Sequence, residues 1–193
     1  MNKNRLFALL IVLVMLCVSG CSAKSSGDLS YYRALSGESD GADMMSVFGD
    51  EFDMPCPYSL PLLSELEPYR NTRFDYTAKS ELFFQSHAYV LIVEYDEATY
   101  PVQKAALEGK YAFCTEQSQG FSNGDMTEPS YTMDEFEIRA VEGGDYPKEM
   151  LLLGFSDTKQ EVAIIYFYDQ DLDYIDDPLG KFIGEYTGWD KVV

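Results

Sequence analysis

The densest run of ligand-type side chains is Asp169-Gln170-Asp171-Leu172-Asp173, followed by Asp176 and Asp177. Alternate aspartates can converge on a hard cation, and calcium loops draw ligands from positions 1, 3 and 5 in this way. Two later positions depart from that pattern. Position 6 is Tyr174, where a glycine permits the sharp turn, and position 12 is Gly180, where a bidentate glutamate is needed. The same alternation fits the end of a strand, with Leu172 inward and Asp169, Asp171 and Asp173 solvated. Calcium is therefore the one cofactor this spacing allows, and a chain with no cofactor is the other reading.

Nucleophilic chemistry has fewer parts to work with. His87 is the only histidine, and its neighbour Ser86 points to the opposite side of any strand that holds both. A thiol pair of His87 with Cys56 or Cys114 is the enzymatic alternative, that of a small envelope hydrolase or thiol enzyme. The plainer reading is a strand histidine, partly buried and hydrogen-bonded beside Tyr89. One histidine and two distant cysteines do not give a zinc spacing. A P-loop, a dinucleotide glycine fingerprint and a basic stripe are all missing.

One sulfur has a clearer chemistry. Lys3 and Arg5 precede an apolar run from Leu6 to Val18, which is short for a membrane span but fits a signal-peptide core. The run ends in Val18-Ser19-Gly20-Cys21. This resembles the lipobox of bacterial lipoprotein precursors, in which a branched apolar residue and two small ones precede the acylated cysteine. The resemblance implies that the Cys21 thiol receives a diacylglycerol and that cleavage of residues 1–20 makes Cys21 the mature N-terminus. It implies an address, the outer side of the bacterial cell membrane, and it implies no activity. Cys17 is the poorer acceptor because bulky Leu16 precedes it.

Removing 20 of 193 residues leaves enough chain for one domain with its own core. Loss of Lys3 and Arg5 takes the net charge from −19 to −21. Such a surface repels phosphate backbones, which excludes nucleic acid as a partner, and it repels anionic headgroups too. Two acyl chains on one cysteine suffice to hold the chain at a membrane despite that charge. With 46% apolar residues, 15 Tyr and 12 Phe, the chain can build a core. Tyrosine at this density serves strand propensity, or aromatic anchors on a binding face. After processing, Cys56 and Cys114 are left, either as a disulfide closing a long loop or as buried thiols.

The elements that must position these residues follow from periodicity. Residues 21–53, small, polar and acidic, read as a lipidated flexible tether, with Tyr31–Leu35 and Met44–Phe48 as short docking turns or linear motifs. A single globular domain follows over 54–193. Proline punctuates its start, and Ser59 or Ser64 caps a short helix through Leu62, Leu63 and Leu66. Arg73–Lys79 alternates as a half-exposed strand, and Ser86–Tyr95 is apolar on both faces, as in a central strand. Thr99 and Pro101 open a helix to Glu108 that Gly109 ends. Tyr111–Cys114 adds a short strand, Gln117–Pro129 is loop, and Glu135–Val141 alternates again. Met150–Phe155 and Glu161–Tyr168 flank a turn as an antiparallel hairpin. A closing helix spans Pro178–Trp189, with Leu179, Phe182, Ile183 and Tyr186 on one side.

The expected fold is α+β, a mainly antiparallel sheet with about three helices packed on it. From YPKEMLLLGFSDTKQEVAIIYFYDQDLDYI onward, the chain also resembles a group of uncharacterised lipoproteins of Gram-positive gut bacteria, a resemblance that implies no chemistry. The expected function is a non-enzymatic binding or scaffolding module of the cell envelope, whose partner is another protein or a wall component. A chain this short does not suit the two-lobed solute-binding lipoproteins. An inhibitor occupying a basic enzyme's cleft is compatible with the charge.

Overall fold

The apolar run SHAYVLIVEY lies where a two-faced strand must lie, in the interior of a sheet. The computed structural model describes residues 21–38, 59–81, 84–122, 128–144 and 148–169, with side chains of 21–26, 78–81, 84–87 and 169 excepted. Among these, seven strands form one antiparallel sheet. They are β1 (Cys21–Ser26), β2 (Asn71–Glu81), β3 (Phe84–Glu94), β4 (Ser130–Met133), β5 (Phe136–Ala140), β6 (Glu149–Ser156) and β7 (Glu161–Asp169). Their order is β1-β2-β3-β7-β6-β5-β4. β3, read as apolar on both faces, and β7 occupy the middle, so their backbone groups are paired on both sides.

Alternation along each strand sends side chains to two faces. Tyr89, Leu91 and Val93 of β3 join Val162, Ile164 and Tyr166 of β7 in the first core. Ala88, Val90, Ala163, Ile165 and Phe167 join Met150, Leu152, Phe136 and Ile138 in a second. Helices α1 (Leu29–Ser36) and α2 (Tyr100–Lys110) both bury residues in the first core, as does a 3₁₀ turn at Leu63–Leu66. The architecture is α+β, mainly antiparallel sheet with helices on it. The described residues hold two α-helices and one 3₁₀ turn rather than about three helices, and the closing helix expected over Pro178–Trp189 lies outside them.

Four local readings need correction. The stretch 21–53 is not a tether throughout, because β1 pairs with β2 and α1 docks on the sheet, so the folded chain begins before residue 54. Asp28 caps α1 by accepting the Ser30 N–H at 2.9 Å, and Gly37 closes it at φ 80° with its N–H on Ala34 O. A helix of eight residues has little stability alone. Tyr32 supplies the rest: it is fully buried and donates its hydroxyl to Pro61 O at 2.7 Å. The apolar side of α1 is Tyr32 and Ala34, with Leu29, Tyr31 and Leu35 packed beside them, a pattern confined to two turns and too short to read as periodic.

The second correction concerns α2, which Gly109 does not end. The helix runs through Gly109 to Lys110. Its start is tied by Asp96, whose carboxylate accepts from the N–H groups of Ala98 and Thr99, and the Thr99 side chain does not cap. Third, Tyr111–Cys114 forms only a single bridge, Phe113 to Val141, while Ser130–Met133, outside every element expected from periodicity, is strand β4. Fourth, the alternation of β2 breaks at Thr77, which is 4% exposed although it lies on the same side as exposed Arg73.

Candidate functional site

Small residues in a row of large ones create a dent. Across the second face, register aligns Arg73, Ile92, Ala163, Gly154 and Ile138. Ala163 and Gly154 lower the floor between two isoleucines. Phe136 comes down over Gly154 so closely that a Cβ there would lie 3.2 Å from its ring and 3.1 Å from Ala163 Cβ. The result is a cavity of about 190 Å³, with Val90, Ile92, Ala163 and Ile165 as its floor, and Phe136 and Met133 as one wall. Arg73, Lys159 and Asp134 line its edge.

Each charged edge residue is held by the fold. Arg73 reaches Glu161 at 2.9 Å, and the Glu161 side chain is 7% exposed against 53% for Arg73. A nearly buried carboxylate thus fixes a guanidinium that still meets solvent. Glu161 Oε2 is buried with no hydrogen-bond partner among the described residues. Lys159 comes from the turn between β6 and β7, closed by the Ser156–Glu161 pair. Its ammonium donates to Asp134 O at 2.9 Å, lies 3.3 Å from Glu135, and sits 5.5 Å from the centre of the Phe136 ring.

Asp134 and Glu135 link β4 to β5 in two residues, and both adopt positive φ, 48° and 70°. A two-residue hairpin needs that geometry, and glycine or asparagine meets it most cheaply. Here two acids hold it, and they stand at the edge of the cavity. Local strain at a functional edge is a recurrent pairing.

The cavity's size limits what it can take. Pockets for drug-sized ligands or cofactors run from about 300 to 1,000 Å³. A space of about 190 Å³ suits one apolar side chain of a larger partner, with the polar edge meeting that partner's backbone and flanking charges.

Of the residues singled out by sequence, those that the structure describes do not line this cavity. Cys21 begins β1, opposite Glu81. The His87 backbone lies in β3 opposite Ala78 and Tyr168. Cys114 is buried at the edge of the second core, its N–H on Ala140 O, and Cys56 lies outside the described residues. Asp169 is the last residue of β7, opposite Ser86, while Asp171 and Asp173 lie outside the description. Among the described residues no group of three or more His, Cys, Asp or Glu is placed to hold a metal ion. No described helix is long and apolar enough to cross a membrane.

Of the two roles open to the tyrosines, strand packing and surface anchoring, several of the described ones take the first. Tyr32, Tyr76, Tyr89, Tyr95 and Tyr166 are buried. Tyr89 stacks on Tyr166 with ring centres 5.2 Å apart, and Tyr32 meets Phe74 and Tyr89 edge-on. Tyr166 donates its hydroxyl to Glu149. Sequence reasoning missed the cavity. The only signals were a glycine inside MLLLGFS and an alanine inside EVAII, small residues within otherwise bulky strands.

No protein-family model, no curated protein and no solved structure matches this chain.

Proposed function

We propose that this chain is a lipid-anchored protein of the bacterial cell envelope, facing outside the cytoplasm, and that it acts by binding rather than by catalysis. Its partner is another envelope protein or a wall component, of which one apolar group seats in the cavity formed by Ile92, Ala163, Ile165 and Phe136. The order of positive residues, apolar run and Val18-Ser19-Gly20-Cys21 supports the address. The cavity carries the binding reading: it is open, apolar in its floor, polar at its edge, and too small for a cofactor. The fold of this proposal also includes the closing helix read over Pro178–Trp189, with Leu179, Phe182, Ile183 and Tyr186 on one side.

Filling the cavity tests the binding role. Ala163→Leu adds three carbons to its floor and leaves Arg73 and Lys159 in place. Affinity capture from detergent-extracted envelope, with the full acylated chain as bait, is expected to retain a partner with the natural sequence and lose it with the variant. Capture unchanged by Ala163→Leu, or no capture that depends on this position, overturns the reading.

A further inference from the structure

The cavity that seats one apolar group has two unlike ends. Its lining begins at Arg73 on β2 and finishes at Phe136 and Asp134 beside the β4–β5 turn. Four strand steps, from β2 through β3, β7 and β6 to β5, separate the backbones at those ends, about 19 Å at sheet spacing. The two cations of the lining are unequally engaged. Lys159 gives its ammonium to Asp134 O and Glu135 and lies over the Phe136 ring, so its charge is met where it stands. Arg73 touches Glu161 through Nη2 alone among the described residues, at 2.9 Å. A guanidinium carries five N–H donors in a planar fork, so those on Nε and Nη1 are left for a second acceptor. The Glu161 side chain is turned inward, 7% exposed against 53% for Arg73. A ligand in the cavity therefore meets a positive donor edge at this end, braced from behind by a nearly buried carboxylate.

We infer that the apolar group seated here is the last side chain of a polypeptide, with its α-carboxylate held by Arg73. The inference rests on the binding role proposed for this cavity and deepens it: the partner is a protein whose chain ends in a residue of about leucine size. Arg73 borders the same small space as the apolar floor, so the anion must stand directly beside the apolar group. Inside a chain, an aspartate or glutamate next to an apolar residue projects to the opposite side of an extended strand. A C-terminal residue carries both groups on one Cα. Guanidinium and carboxylate also meet through parallel N–H···O bonds, which fix the direction of the bound chain as well as its affinity.

The net charge of −19 does not forbid this contact. At physiological salt, charges more than about 8 Å away are largely screened, so one carboxylate responds to the guanidinium beside it before it responds to distant acids. The acids nearest Arg73 along the strands, Asp75 and Glu161, do not line the cavity. Repulsion falls instead on acidic stretches of a partner. The residues that precede the terminus are therefore neutral or basic, and they face Asp134 and Glu135 at the far end.

The test titrates the full chain in detergent solution, with isotope-labelled isoleucine δ-methyls, and follows Ile92, Ile138 and Ile165 of the cavity by NMR. The probes are N-acetyl-L-leucine, which mimics a chain end, N-acetyl-L-leucinamide, which lacks the anion, and free L-leucine. The acid is expected to bind about tenfold more tightly than the amide, the size of one charge-assisted contact. Arg73→Gln together with Glu161→Gln replaces the ion pair by two amides and strands no buried charge. It is expected to bring acid and amide to nearly equal affinity while the methyl shifts persist. Equal affinity in the natural sequence overturns the inference and leaves the apolar seat standing. A preference for the acid that survives the double change overturns it as well, because Arg73 is then not the receiver. Tighter binding of free leucine overturns the chain end in favour of a free amino acid. If neither the acid nor the amide moves these methyls, the seat itself fails and this inference with it.

Discussion

Two glycines in helices of this chain have opposite requirements. Gly37 ends α1 at φ 80°, a backbone region where a Cβ crowds its own carbonyl, although the space around it is open. Gly109 lies inside α2, where a Cβ would also meet nothing within 4 Å. Gly37→Ala is expected to destabilise by about 1 kcal/mol, and Gly109→Ala to stabilise by about 0.5–1 kcal/mol. Urea midpoints at unchanged slope measure both. Equal signs at the two positions would mean that α1 does not end as described. Gly109 reads as a stop because it stands near the end of the periodic pattern. The pattern alone cannot show that Tyr111 N–H still reaches Leu107 O, continuing the helix past it. Gly154 is equally silent in the sequence, because a close approach between strands leaves no mark in one strand's own alternation.

At the scale of elements, what could be read depended on how much of the packing was local. β2, β3, β5 and the β6–β7 hairpin announce themselves by alternation or apolar runs of five residues or more. Their registers, such as Tyr89 with Tyr166, follow once each strand is placed. β1, CSAKSS, has no apolar residue pattern and exists through its pairing with β2. α1 exists through Tyr32 reaching Pro61, 29 positions away in the chain. β4 is held by β5 through the acidic turn at Asp134 and Glu135.

For the whole molecule, the excess of acid sets two opposing dependences on pH. Between neutral pH and about 5, the first protons taken up by a chain of charge −19 relieve self-repulsion, and stability is expected to rise slightly. Below that, specific carboxylates dominate. Glu65 is held below its ordinary value by Lys110 and the Leu62 N–H, and Asp157 by Lys104 and the Tyr100 hydroxyl. Asp96 is lowered chiefly by the Thr99 N–H. Burial alone would push Glu38 up, but the Ser64 N–H at 2.8 Å overcomes it and Glu38 too is lowered. Each of the four takes up its proton more readily unfolded than folded. Their stabilisation is complete above the unfolded carboxylate range, about pH 4, and is lost as pH falls through their lower folded values. The melting temperature should therefore pass through a maximum near pH 5 and fall on the acid side. Lys110→Met isolates one contribution. It removes the first cause of the Glu65 shift, so the acid-side fall should become shallower while the rise between pH 7 and about 5 persists. Glu65 is about half exposed, which limits the difference to a few tenths of a kcal/mol and calls for denaturant titrations at closely spaced pH. An acid limb of the same steepness in Lys110→Met would place the loss of stability in general charge rather than in these contacts.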